Sequence, residues 1–194
     1  MEKFLNFSSV IVPFPYNNVD TDQIYPARFL IATDKMDMKE KLFKDLREDE
    51  EGNPRSDFIL NNPWYQGTKI LMALDNFGSG SSREHAVWAL AEWGFCAVIA
   101  VSFGDIFRNN AYKNGLLPIQ LPKDIIDQMH VDAAVNPQEM MEVNLERQRV
   151  RWKEREYTFD INPFIKACIL KGVDEIGYTL HYEQDIRAFE EAHK

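Results

Sequence analysis

Apolar positions along the chain come in short blocks, and their spacing changes from block to block. Residues 10–14 (V-I-V-P-F) form an apolar run broken by Pro13 and Pro15 and predict a strand. A polar loop follows at 17–22 (N-N-V-D-T-D), rich in side chains that bond nearby backbone. Residues 24–31 are apolar again, entered through Pro26. Met38, Leu42, Phe43 and Leu46 fall at helical spacing. The charge, glycine and proline of 47–54 (R-E-D-E-E-G-N-P) end that helix in an exposed excursion, read as a lid, a partner-facing insertion or simply solvated surface.

The central third alternates types. A strand at 68–74 (T-K-I-L-M-A-L) leads into a glycine-rich loop and a helix over 83–93, and a strand at 95–101 (F-C-A-V-I-A-V) leads into a helix over 104–113. Gly115 suits a helix end, and 116–121 (L-L-P-I-Q-L) reads as another strand. This order implies a parallel or mixed α/β core. The last third changes again. Residues 142–145 and 150–152 alternate, as do Tyr157, Phe159 and Ile161, predicting strands joined by tight turns. Asn162-Pro163 opens a helix that ends near Gly172, and a final helix is expected over 182–192. No repeat, linker or second domain is visible. Residues 1–194 read as one α/β domain whose mixed sheet can close into a barrel.

A chain of 194 residues can bury a substantial core, and its 45% hydrophobic content is that of an ordinary globular protein. The net charge of -9 argues against a nucleic-acid binder or an anionic-membrane binder, while a local basic pocket for a small anion stays open. Cys96 and Cys168 are far apart, form no C-x-x-C pair and read as buried thiols of a reducing cytoplasm. They cannot by themselves supply the thiolates of an iron–sulfur cluster. His85, His130, His181 and His193 lack metal-ligand spacing, so no metal site is expected on this chain. The opening M-E-K-F-L-N-F-S-S-V lacks the pattern of a signal peptide, and the apolar region 86–103 is interrupted by Glu92 and Gly94. A cytoplasmic chain without a membrane span is expected.

The chemistry concentrates at 76–86, N-F-G-S-G-S-S-R-E-H-A. A glycine-rich loop between a strand and a helix start offers backbone N–H groups and a positive dipole end, and Ser81, Ser82 and Arg83 add hydroxyls and a guanidinium. The fitting guest is a carboxylate or phosphate. The structural alternative is a capping box, Ser81 as N-cap with Glu84 three residues on. Gly78 and Gly80 strip the loop of side chains and favour close approach by a ligand. Neither the G-x-S-x-G of serine hydrolases nor a Walker Gly-Lys-Ser/Thr is present, and His85 is directed elsewhere on the helix. A second candidate is 19–29, V-D-T-D-Q-I-Y-P-A-R-F. Asp20 and Asp22 form an Asx-type turn, or Asp22 orients a neighbour while Thr21 bonds substrate. Arg108 either reaches the same pocket or pairs with Asp105.

These two motifs, N-V-D-T-D-Q-I-Y-P-A-R-F-L and N-F-G-S-G-S-S-R-E-H-A-V-W-A-L, resemble the small subunits of 3-isopropylmalate dehydratases, relatives of the swivelling C-terminal domain of aconitase. The resemblance continues through 49–54, 94–110, 113–119 and 171–180 and so covers nearly the whole chain in order. It implies a swivelling β/β/α domain with a mixed barrel-like sheet flanked by helices. It implies a hydro-lyase subunit that interconverts 2- and 3-isopropylmalate in leucine biosynthesis, active only with its large subunit. By similarity, Ser81 matches the catalytic base, Ser82 and Arg83 match substrate-carboxylate ligands, and Thr21 and Asp22 match the active-site pair of the first loop. Ile31 and Arg28 lie in the region tied to substrate specificity. A [4Fe–4S] cluster is expected on the large subunit and none on this chain. The substrate expected is a small hydroxy-dicarboxylate. Two departures stand out: Ser79 where the motif usually has Cys, and Tyr25 where a smaller or aliphatic residue is usual. The alternatives are a sister dehydratase of the methylmalate/citraconate or homoaconitate type, and a non-catalytic anion-binding module.

Overall fold

The structure, a computed structural model, describes residues 1–30, 37–180 and 182–193. Its strands are β1 (Phe7–Pro13), β2 (Ile70–Met72), β3 (Ala97–Ala100), β4 (Leu117–Gln120), β5 (Met140–Asn144), β6 (Arg149–Trp152) and β7 (Arg155–Thr158). They form one sheet in the order β4-β3-β2-β1-β5-β6-β7. β1 to β4 pair in parallel, with Ile11 beside Ile70, Ile70 beside Ala97 and Ala97 beside Leu117. β1 also pairs antiparallel with β5, and β5-β6-β7 continue as an antiparallel wing. The sheet is therefore mixed, as expected, and β1 is the strand where its two halves meet.

Alternation along the parallel strands feeds two cores. Ile11, Ile70, Met72, Ala97 and Ile99 face one, and Val12, Leu71, Val98 and Ala100 face the other. Burial on both faces explains why these strands read as continuous apolar runs. β4 and β7 are opposite edges, yet Gln120 and Leu121 share a cavity of about 600 Å³ with Thr158 and Phe159. The sheet thus curls until its edges face one another, which gives the barrel-like shape.

The helices are α1 (Thr21–Ile24), α2 (Met38–Lys41), α3 (Lys44–Arg47), α4 (His85–Trp93), α5 (Asp105–Lys113), α6 (Lys123–Val135), α7 (Pro163–Lys171), α8 (Glu175–Leu180) and α9 (Glu183–Ala192). α4 and α5 cover one face through Ala86, Val87, Leu90 and Phe107, and α6 covers the other through Ile126 and Met129. Two expectations are corrected. The single helix expected across Met38–Leu46 is α2 and α3, split where Phe43 turns left-handed at φ 49. The break lets adjacent Leu42 and Phe43 both bury completely, and the Phe43 N–H donates to the Ile24 carbonyl at 2.8 Å. The second concerns α6, which was not expected. Its buried Ile126, Met129 and Ala133 recur at helical spacing, but its outer face carries Val131 and Val135, 59% and 82% exposed, which blurs the stripe. Among the described residues, no helix is long and apolar enough to cross a membrane.

Candidate active site

The candidate site forms where the chain leaves β1 and β2, at the carboxyl ends of two adjacent parallel strands. In open α/β sheets ligands bind at such ends. Asp20 begins α1 with a capping box: its carboxylate accepts from the N–H groups of Asp22 at 2.8 Å and Gln23 at 2.7 Å, and its own N–H donates to Gln23 Oε1 at 3.0 Å. With Asp20 committed to the cap, Asp22 is free to face outward. Its Oδ1 accepts from Arg83 Nη1 at 2.5 Å and from the Ala27 N–H at 2.8 Å. The Arg83 bond, then the Ala27 N–H, hold the Asp22 carboxyl below the usual carboxylate range.

Backbone and side chains stitch the two loops together across sixty residues of sequence. The Gly78 N–H donates to the Val19 carbonyl at 2.7 Å, and the Thr21 N–H donates to the Ser79 carbonyl at 2.9 Å. Thr21 is buried, and its Oγ1 donates to the Ser81 carbonyl at 3.2 Å. Nearer the surface, Ser102 donates to Asp75 and accepts from the Asn76 N–H at 2.8 Å, and Asn76 Nδ2 donates to Asn18 at 2.9 Å. Position 79 works through its N–H, which donates to the Val19 carbonyl at 3.3 Å, and its carbonyl, bonds that do not depend on the side chain there.

The expected capping box at Ser81 does not form. α4 begins at His85, with Glu84 in the N-cap position and no side-chain cap. Residues 81–83 make a turn in which the Arg83 N–H donates to the Ser81 carbonyl at 2.8 Å, and Thr21 draws that same carbonyl toward the first loop. Glu84 instead accepts from Asn114 Nδ2 at 2.7 Å, and Asn114 Oδ1 accepts from Trp88 Nε1 at 2.9 Å. Ser81 is therefore no helix cap, and it lies farther from the α4 dipole than the sequence suggested, a dipole whose effect fades within the first turn. Gly78 is buried against Phe107 of α5, so its bareness serves packing of the loop on that helix, whereas Gly80 is exposed, meets Asp20 and Thr21 only at ordinary contact distance, and is set by its left-handed backbone at φ +89.

Ser81 and Ser82 are exposed, while the Arg83 side chain is only 22% exposed and aimed by Asp22. Arg28 pairs with exposed Asp45 and lies over the Phe29 ring at 4.5 Å. It sits close enough to Asp22 to contribute to holding that carboxyl down. Ile31 lies outside the described residues. Tyr25 is fully buried and its hydroxyl donates to the Phe29 carbonyl at 3.3 Å, so it belongs to the core beneath the first loop. His85 packs between Tyr25 and Trp88, and burial pushes its pKa down. Arg108 pairs with Asp105 at 3.2 Å and lines the cavity between the sheet edges.

The iron–sulfur cluster implied by the resemblance does not fit this chain's own donors. Cys96 sits just before β3 and Cys168 inside α7, and burial pushes both thiols up, away from the thiolate a cluster binds. Among the described residues no group of His, Cys, Asp and Glu could hold a metal ion.

The Asp22–Arg83 pair has a pH signature. A carboxyl whose folded pKa lies below its unfolded value adds stability above the unfolded pKa, about 3.9, and loses it as pH falls through the folded value. Asp22→Asn should therefore melt below the wild type at neutral pH and converge with it in strong acid. Thermal melts across pH check this, and a gap that persists in acid would rule the pair out as its cause.

Residues 1–124 match the Aconitase C-terminal domain family. The chain is 47% identical to the 3-isopropylmalate dehydratase small subunit of Solibacter usitatus, over 100% of this chain and 96% of that protein. It is 45% identical to that of Ruegeria sp., over 98% and 96%, and 44% identical to that of Lactococcus lactis, over 100% of both. A crystal structure of 3-isopropylmalate dehydratase from Methanocaldococcus jannaschii is similar with a TM-score of 0.67 and 26% identity, over 96% of this chain and 99% of that one. With the mixed curled sheet in place and relatives matching from end to end, the chain belongs to the 3-isopropylmalate dehydratase small subunits, within the aconitase C-terminal domain family.

Proposed function

We propose that this chain, acting as one unit over residues 1–194, is the small half of a hydro-lyase active site. With a large subunit, and in the cytoplasm, it interconverts 2- and 3-isopropylmalate in leucine biosynthesis. The observation that carries this reading is the joining of the two loops: Thr21 holds the Ser81 carbonyl and Asp22 aims Arg83, with two serine hydroxyls left at the surface between them. The names of the relatives support the substrate and the partner.

Dehydration removes a proton from the carbon next to the hydroxyl-bearing one. The C–H electron pair becomes the new C=C bond as the hydroxyl departs. Ser81 Oγ takes that proton and returns it to the other carbon when water adds back with reversed placement. Ser82 and the Arg83 fork hold a substrate carboxylate, a planar match that fixes which C–H faces Ser81. Thr21 and Asp22 position these groups, and the choice of the substrate's second arm is assigned to Arg28 and to Ile31, the latter outside the described residues. A serine exposed to water is a poor base, so the site must be closed and dried by a second surface before it can work. Departure of the hydroxyl needs an electrophile that this chain's donors do not fit, and we assign it to a [4Fe–4S] cluster on the large subunit.

The test is reconstitution with a cluster-bearing large subunit, assaying 2-isopropylmalate, citramalate and homocitrate in parallel. Turnover of 2-isopropylmalate is expected, with Arg83→Lys raising KM by about tenfold or more through loss of one charged hydrogen bond. Turnover of only another substrate would move the chain to a sister dehydratase, and activity on none would leave a binding module.

A further inference from the structure

The C-terminal segment takes no part in the site. Among the described residues, α8 and α9 bury no side chain. Isolated helices of six and ten residues are marginal in water. Among the described residues Tyr178 of α8 packs on Phe164 at 4.9 Å beneath Lys171 Nζ at 4.7 Å, while the Arg187–Glu183 pair at 2.6 Å is internal to α9. Yet both helices turn apolar side chains to solvent. Ile176 and Leu180, one turn apart on α8, are 71% and 60% exposed, and Ile186 and Phe189, one turn apart on α9, are 40% and 64% exposed. Exposed apolar area of this kind, flanked by polar residues, marks an interaction surface when it exceeds a few hundred Å².

Three observations select its occupant. The first is charge. The stripes are flanked by exposed Asp174, Glu175, Glu183, Asp185, Glu190 and Glu191, against which stand Arg187, itself paired, and Lys171 over the Tyr178 ring. Two copies of a chain of net charge -9 would bring acidic rims together, whereas a groove rimmed by lysine and arginine is complementary. The second is reach. α5 is preceded by its N-cap Gly104, packed on the Gly78 carbonyl of the serine loop, and ends at Lys113, which lines a cleft of about 300 Å³ with Glu175 of α8. The nine residues of α5 span about 13 Å, so a surface that closes over Ser81 reaches α8 with little further extent. The third is extent. The aconitase C-terminal domain match stops at residue 124, while relatives that are separate small subunits match 100% of this chain. A separate subunit has no covalent tether and needs added docking surface.

We propose that α8 and α9 are the docking element for the large subunit, seating their apolar stripes in an apolar groove with a basic rim. The proposal rests on the reading of this chain as the small half of that enzyme. The test uses the full chain and purified large subunit, with binding followed by calorimetry and turnover measured separately. Ile186→Asp with Phe189→Asp should weaken binding by about tenfold or more, leave kcat at saturating subunit within about twofold and leave the melting temperature of the free chain unchanged. Binding of the wild type should also weaken between about 50 and about 500 mM salt. Unchanged affinity in the double variant overturns the proposal. So does a wild-type chain that sediments alone as a dimer and becomes monomeric in the variant, since the face would then belong to a second copy. Weakened binding in the variant, with a wild-type complex that binds but turns over no isopropylmalate, would remove the functional reading and keep the docking element.

Discussion

Ser81→Ala is expected to lower kcat of the reconstituted enzyme by about 10²- to 10⁴-fold, the scale of losing a positioned proton-transfer group, with little change in KM. The split follows from the roles assigned. Arg83 and Ser82 carry carboxylate binding, and Arg83 is aimed by Asp22 whether or not Ser81 has a hydroxyl. Ser81 itself holds the loops together through its carbonyl, which accepts from Thr21 and from the Arg83 N–H, and alanine keeps that carbonyl. Its side chain is exposed, so the free chain should melt as the wild type does. Association with the large subunit should also survive. Steady-state kinetics with melts of both proteins check this together. A variant that keeps more than about a tenth of the wild-type kcat would remove Ser81 as the base, because that loss falls below the roughly hundredfold or more that a positioned base typically contributes.

Much of the architecture was legible because its signals are local. Asn162, Pro163 and Gly172 bracket α7 as read, the asparagine accepting from the Phe164 and Ile165 N–H groups and the glycine taking the left-handed position. The apolar runs before and after the serine loop contain β2 and β3, but the strands are three and four residues where each run of seven was read as strand. What was not legible depends on distant residues. The motif S-S-R-E carries every local requirement of a capping box, and it fails because Thr21, sixty residues earlier, competes for the same turn. The cap that does form belongs to Asp20 and Gln23, in a motif read as an Asx turn with Asp20 and Asp22 alike. Glu84, Asn114 and Trp88 were missed altogether, since nothing in a single sequence relates the first turn of one helix to the residue after the next. The Asp22–Arg83 pair likewise joins two motifs that each looked complete on its own.

Thr21, Asp22 and Gly78 are tied up in holding the loops to each other and to α5, and Ser81 and Ser82 are the groups of the loop left exposed. Ser81 and Ser82 stand at an open surface with the cation beside them already directed. An arrangement of this kind binds weakly and reacts slowly in water, because solvent competes for every donor and stabilises the protonated serine. It becomes reactive when another surface excludes that solvent, which is the physical content of calling it half a site.

Gly78→Ala should be the most damaging of the conservative changes in the serine loop, destabilising the chain by about 3 kcal/mol, from left-handed backbone strain and overpacking together. A Cβ at Gly78 would lie 2.2 Å from Phe107 Cγ and 2.6 Å from its Cβ, at φ +74, in a place where 2.7 Å separates the Gly78 N–H nitrogen from the Val19 carbonyl oxygen. The Phe107 ring is buried and meets Phe77 at 5.4 Å, so it has nowhere to withdraw without opening the core. Gly80→Ala is the internal control. Its φ is +89, but the nearest atoms lie at 3.5 and 3.7 Å, so it incurs the backbone strain alone, about 1 kcal/mol. For a chain of this size the difference corresponds to a melting temperature about 4–8 °C lower for Gly78→Ala than for Gly80→Ala. Phe107→Leu should recover part of the loss in the double variant, because the smaller side chain gives the new methyl room. Equal stability of the two glycine variants would mean that Phe107 yields freely, and the serine loop would then not be held by its fit against α5. If the fit holds, Gly78→Ala should also cost turnover beyond its stability loss, since any shift of this loop moves Ser81 relative to Thr21 and the Asp22–Arg83 pair.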